Sequence, residues 1–144
     1  MTKKVLYLSA AIAVTAFIFS NSALPASESS EISRGLLSVL LDILPFEISH
    51  NLLRKLAHFA EFFMQGFFLC LYFNELFKRK TKTAAYTAAV GFVTGCADEL
   101  LQLFIEGRGP GFLDVLIDFS GNLSSLAFLF VIYLFSQSRS SLKC

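Results

Sequence analysis

The chain has 144 residues, enough for one compact domain. It is 55% hydrophobic and 16% charged, with 17 Phe and no Trp, whereas soluble domains average about 45–50% apolar and about 25% charged. This composition marks an integral membrane protein, and a formal net charge of +1 excludes the basic stripe of a nucleic-acid binder.

Four apolar runs, residues 5–24, 56–77, 83–105 and 112–135, approach the roughly 20 residues needed to cross the hydrocarbon core. Backbone groups in lipid must bond internally, and no run has the alternation of a barrel strand, so all four read as helices. The expected fold is all-α: one domain over residues 1–144, built as a bundle of four transmembrane helices. The first run, TKK then an apolar stretch then FSNSALPAS, also resembles a secretory signal peptide. It has no clean A-x-A triplet and is read as a retained helix.

Between the first and second runs, residues 31–44 place Glu31, Arg34, Ser38 and Asp42 on one helical face. The segment is too short to span. It reads as an amphipathic helix on the membrane surface, or as a connector packed on the bundle, ended by Pro45. Basic residues then set the orientation. Lys3, Lys4, Lys78, Arg79, Lys80, Lys82, Arg139 and Lys143 are 8 of the 12 basic residues, and four spans put them all on one side. The expectation is a multi-pass protein of the cell membrane with both termini cytoplasmic and residues 25–51 and 107–111 outside. Cys70, Cys96 and Cys144 form no C-x-x-C pair and read as small hydrophobes plus a tail thiol.

A helix turns about 100° per residue, so offsets of 4, 7 and 11 fall on one narrow stripe. Arg54, His58, Glu61 and Gln65 follow these offsets in the second run. Gly91, Gly95, Asp98 and Gln102 do so in the third, with Glu99 at the edge. Asp114, Asp118, Gly121 and Ser125 do so in the fourth, with Asn122 at the edge. Charged groups at bilayer depth cost about 2.5–3.5 kcal/mol or more each, so they face a bundle interior or a wet cavity. Three such stripes predict one polar cluster within about 10 Å of the outer helix ends, with Arg54, Lys55 and Arg108 around its mouth. Any one of these residues could be interhelical glue. The acids Glu61, Asp98, Glu99, Asp114 and Asp118 together exceed what packing requires and point to a site for a proton, a cation or a cationic group.

The segments RKLAHFAEFFMQG and DELLQLFIEGRGPGFLDVLIDFSGN resemble the VanZ-like family. Its pattern is roughly K-x-x-H-x-x-x-Y-x-x-L-G, then D-E-x-x-Q-x-F-x-x-x-R-x-x-x-x-x-D-x-x-x-N-x-x-G. Lys55, His58, Gly66, Asp98, Glu99, Gln102, Phe104, Arg108, Asp114 and Gly121 fall in register. FSNS at residues 19–22 is similar to the family's exit from the first helix. Asp118 stands where Asn is commoner, and Phe62 and Phe63 replace the Tyr region. The family is named for a membrane protein that raises resistance to teicoplanin, a lipoglycopeptide acting on cell-wall precursors outside the membrane. The resemblance therefore implies an extracytoplasmic role and a link to antibiotic resistance or envelope homeostasis. It carries over no catalytic residue.

Three functions compete. The first is binding of a membrane lipid, lipid-linked cell-wall precursor or lipoglycopeptide. Arg54, Lys55 and Arg108 would hold an anionic group, and His58, Glu61, Asp98, Glu99, Gln102, Asp114 and Asp118 would line the site. The second is an intramembrane enzyme on a cell-wall or lipid substrate, with His58 as general acid or base oriented by Glu61 or Asp98, and Glu99 as a further candidate. A hard metal on His58, Glu61, Asp98 and Glu99 is conceivable, but no fixed metal template fits, and neither metal nor cofactor is assigned. The third, a small proton-coupled transporter, needs an ionisable residue in the first span, and residues 5–24 hold none.

Overall fold

The computed structural model describes residues 2–25, 28, 49–109 and 111–141. These form α1 (Lys3–Ser22), α2 (His50–Phe77), α3 (Lys80–Gln102) and α4 (Phe112–Ser141), with no strand among the described residues. The amphipathic helix expected at residues 31–44 and the tail Cys144 lie outside them.

Helix boundaries depart from the apolar runs where local hydrogen bonding overrides hydropathy. α2 begins before the second run because Ser49 caps it, its Oγ accepting the Leu52 N–H at 3.2 Å. Arg54 and Lys55 are thereby helical and take a fixed place on the helix face. Lys78 ends α2 in the left-handed region (φ 52°), donating its N–H to the Asn74 carbonyl. α3 stops at Gln102, short of the third run's end. There the chain tightens into three-residue steps, with Phe104 N bonded to Leu101 O and Ile105 N to Gln102 O. Gly107 (φ 74°) then reverses its direction. α4 continues past the fourth run to Ser141.

Three of the helices are long and apolar enough to cross a membrane: Lys3–Ser22, Asn51–Phe77 and Phe112–Ser138. α3 has 23 residues, about 34 Å of helix. Its apolar character is diluted by Thr83, Thr87, Thr94, Asp98, Glu99 and Gln102, all of them buried. The bundle is accordingly polar inside and apolar outside. Phe17, Val93, Phe104, Phe112 and Phe135 are exposed, whereas Gln65, Asp98, Asp118, Asn122 and Ser125 are buried. That inversion suits a chain solvated by lipid.

α2 lies at the centre and touches the other three helices. Small residues let the backbones meet. A Cβ on Gly121 would strike the Phe59 carbonyl oxygen and sit 3.2 Å from the Phe63 nitrogen. A Cβ on Gly91 would overlap the Asn122 side chain. At one end of the bundle Lys3 and Lys4 lie within electrostatic reach of Glu75, which pairs with Lys78 at 2.6 Å. Lys80 there bonds Asn74 and sits 4.5 Å from the Tyr133 ring centroid. The start of α1 and the later turns of α4 therefore share this basic end. A groove of about 400 Å³ opens nearby between α2, α3 and α4, lined by Cys70, Leu71, Ala84, Leu126 and Phe130 among others.

The Gly121 contact is against backbone, which cannot rotate away. Gly121→Ala should lower stability by about 1–3 kcal/mol, read as a lower melting temperature in detergent. Gly109→Ala, where a Cβ meets nothing within 4 Å, should leave it unchanged.

Candidate functional site

At the end opposite the basic turns, the C-terminal turn of α1, the first half of α2, the end of α3 and the start of α4 converge. Helical periodicity aims one stripe of each toward the shared axis. Asp98 lies at the centre and is 0% exposed. Its Oδ2 accepts hydrogen bonds from Ser22 Oγ at 2.8 Å and Gln102 Nε2 at 3.0 Å. His58 Nδ1 is 3.9 Å from the same oxygen and 3.5 Å from Asp118 Oδ1. Asp118 is 1% exposed, and both its oxygens lack a hydrogen-bond partner among the described residues, as does Asp98 Oδ1. His58, Asp98 and Asp118 each offer one ligand atom, all within 4.8 Å of one another.

A second ring surrounds this centre. Glu61 accepts from Asn21 Nδ2 at 2.8 Å, which ties α2 to α1. Glu99 accepts the Gly111 N–H at 2.8 Å, which pins the α3–α4 turn. Lys55 pairs with Asp114 at 3.4 Å, and both are partly exposed. Arg108 donates from Nη2 to the Asn21 carbonyl at 3.1 Å, so the turn between α3 and α4 also reaches back to α1. Burial and the neighbouring Arg54 lower the Arg108 pKa, while Asp98, Glu99 and Glu61 oppose them. Arg54, Lys55, His58, Glu99, Gln102, Asp114 and Asp118 line a cavity of about 10 Å³, room for about one water.

One level deeper, Gln65 donates to Thr15 Oγ1 at 2.9 Å and Thr94 Oγ1 at 3.2 Å, joining three helices. Asn122, on α4, is fully buried.

The structure thus gathers most of the stripe residues at one end of the bundle but distributes their partners differently from the sequence reading. The orienting group expected for His58 is Glu61 or Asp98, and Asp98 does lie 3.9 Å from its Nδ1. Glu61 instead bonds Asn21, and the carboxylate nearest His58 is Asp118. Glu99 accepts the Gly111 N–H, and among the described residues the ligand atoms that converge are those of His58, Asp98 and Asp118, without Glu61 or Glu99. The sequence reading also left α1 out of the site. Asn21 bonds Glu61, Ser22 bonds the central Asp98, and Thr15 meets Gln65. Ala11, Thr15, Ile18 and Ser22 repeat the offsets 4, 7 and 11, and Ala11, Ile18 and Ser22 are buried, but none is charged, so the stripe does not stand out from the apolar run around it.

The VanZ/LLP1 family model matches residues 5–138, nearly the whole chain. The chain belongs to the VanZ/LLP1 family. No curated protein and no solved structure matches it. Family membership and three span-length helices fit a membrane protein linked to VanZ-type resistance. The match runs through all four site-forming helices, including the α1 exit at Asn21 and Ser22.

Gln65 separates packing from site chemistry. Its amide nitrogen is satisfied by two hydroxyls away from the charged cavity. Gln65→Leu should lower the melting temperature, for a loss of about 0.6–2 kcal/mol, while leaving any ligand affinity within about twofold of wild type. Both are readable on one detergent-purified sample.

Proposed function

We propose that this end of the bundle faces outward and binds the anionic head group of a membrane lipid or lipid-linked cell-wall precursor at the outer leaflet. The observation that carries this reading is the cation set at the cavity. Arg54 and Lys55 line a polar well in a protein whose outer surface is apolar, and Arg108 lies within electrostatic reach of Arg54, Asp98 and Glu99. Only Lys55 has an acidic partner within 4 Å among the described residues. Arg108 Nε and Nη1 have no hydrogen-bond partner among them. A guanidinium with free N–H groups suits a phosphate or carboxylate, which it can grip with two parallel bonds. The family's association with teicoplanin-type resistance agrees with a ligand of the outer envelope, and a lipoglycopeptide remains an alternative source of the anionic group.

The enzyme reading has one observation in its favour. His58 is 15% exposed at the cavity, with Asp118 3.5 Å behind its Nδ1. A base held by a carboxylate is the arrangement that general acid–base chemistry uses. Binding of the head group is common to both readings.

Orientation follows from the basic end. With four spans, residues 78–82 and both chain ends would be cytoplasmic, consistent with the excess of Lys and Arg there. In a cysteine-free background, a membrane-impermeant maleimide on intact cells should label a cysteine at Gly109 and spare one at Thr81. The reverse pattern would place the site in the cytoplasm.

The ligand is tested by titrating a polyprenyl phosphate, with phosphatidylcholine as control, into detergent-solubilised protein. Arg54→Gln and Arg108→Lys should each weaken polyprenyl phosphate binding by roughly 10–150-fold, the value of a charged hydrogen bond at about 1.5–3 kcal/mol. Arg54 has no ion pair among the described residues, so its variant should keep the wild-type melting temperature. Wild-type affinity in both variants would remove the head-group role, and teicoplanin as a parallel titrant separates the lipoglycopeptide alternative.

A further inference from the structure

We infer that His58, Asp98 and Asp118 form a binding site for one divalent transition-metal ion. The site stands on the protein's own groups and does not depend on the head-group reading.

Geometry comes first. The three side chains come from α2, α3 and α4, and their ligand atoms lie within 4.8 Å of one another. Zinc binds imidazole nitrogen and carboxylate oxygen at about 2.0–2.2 Å, so neighbouring donors on a tetrahedral centre lie about 3.3–3.5 Å apart. His58 Nδ1 and Asp118 Oδ1 are already 3.5 Å apart, and His58 Nδ1 and Asp98 Oδ2 are 3.9 Å apart. Small side-chain rotations close the remainder.

Partners come second. Asp118 is 1% exposed and neither of its oxygens has a hydrogen-bond partner among the described residues, Oδ1 meeting His58 Nδ1 only at 3.5 Å; Asp98 is 0% exposed, and its Oδ1 has no hydrogen-bond partner among them. Buried carboxylates are costly unless paired or coordinated to a metal. Lys55 and Arg108 do not meet this need. Lys55 pairs with Asp114, and Arg108 Nη2 donates to the Asn21 carbonyl. A divalent cation bound by neutral imidazole and two carboxylates closes the balance at zero.

The outer contacts come third. Ser22 and Gln102 both donate to Asp98 Oδ2, which is how supporting groups orient a ligating carboxylate. The cavity beside His58 and Asp118 has about 10 Å³, matching one water in an open coordination position. One nitrogen and two oxygens suit zinc or manganese, while a site for magnesium alone would be built of oxygen.

The test uses the full-length chain, tag removed, stripped of metal in detergent and then dialysed against Zn²⁺ or Mn²⁺. Saturable uptake of one ion per chain is expected, with a raised melting temperature that a chelator reverses. His58→Ala and Asp118→Asn should weaken uptake at least roughly tenfold, and Glu75→Gln, at the opposite end of the bundle, should not. X-ray absorption of the zinc-loaded wild type needs no variant. It should give a nitrogen and oxygen shell with imidazole scattering. Absence of saturable one-to-one uptake of either ion, sulfur in the shell from Cys70 or Cys96, or unchanged uptake in both ligand variants would overturn the site.

Discussion

The arrangement depends on the burial of two carboxylates, Asp98 and Asp118, in a bundle whose outer surface is apolar. Neither acid reaches solvent, and taking a carboxylate out of water costs several kcal/mol even after relaxation. The fold answers by crowding donors around them. Ser22 and Gln102 bond Asp98, and His58 stands against both acids. Each donor comes from a particular helix turn. The acids therefore fix how α1, α2 and α3 meet, because any other rotation would leave Asp98 without its donors.

Close approach makes that crowding possible. His58 can face Asp118 only if α2 and α4 run nearly backbone to backbone. Gly121 against the Phe59 carbonyl supplies that approach one turn from Asp118. Gly91 makes room for Asn122 in the same way between α3 and α4. The glycines and the acids lie on the same stripes because both are consequences of one buried face. Glycine removes the side chain where backbones touch, and the acid occupies the wider space one turn along.

Periodicity made much of this legible in the sequence. A polar residue inside a lipid-solvated helix has few places to point, so offsets of 4, 7 and 11 located the buried faces of α2, α3 and α4. Three things were not legible. Helix ends were set by Ser49 and by the tightened turn after Gln102, which hydropathy does not register. The contribution of α1 was hidden because Thr15, Asn21 and Ser22 are uncharged and do not stand out in an apolar run. The pairing within the site depends on which rotamers converge. Glu61 and Asp98 are both in the chemistry that surrounds His58, but only three-dimensional placement shows that Glu61 turns to Asn21 and that Asp118 comes nearest. Asp118 carried little weight in the resemblance, since Asn is commoner there, and both its oxygens lack a hydrogen-bond partner among the described residues.

That Asp118 stands where Asn is commoner in the pattern it resembles bears on what the site is for. Asn and Asp have nearly the same shape, so packing alone would accept either. Asn brings two N–H donors and no charge, and could bond a neighbouring carboxylate such as Asp98 directly. Asp brings only acceptors when ionised, beside another buried acid and a single imidazole. An interior optimised for hydrogen-bonded cohesion would favour the amide, because it satisfies more lone pairs without adding charge. The acid is the better choice only when something positive shares the space. Arg54, Lys55 and Arg108 line or approach the cavity mouth, where they can meet an anion coming from the membrane surface. The acids below them are suited to the opposite charge. The two layers therefore call for different occupants: an anionic group at the rim and a cation in the well.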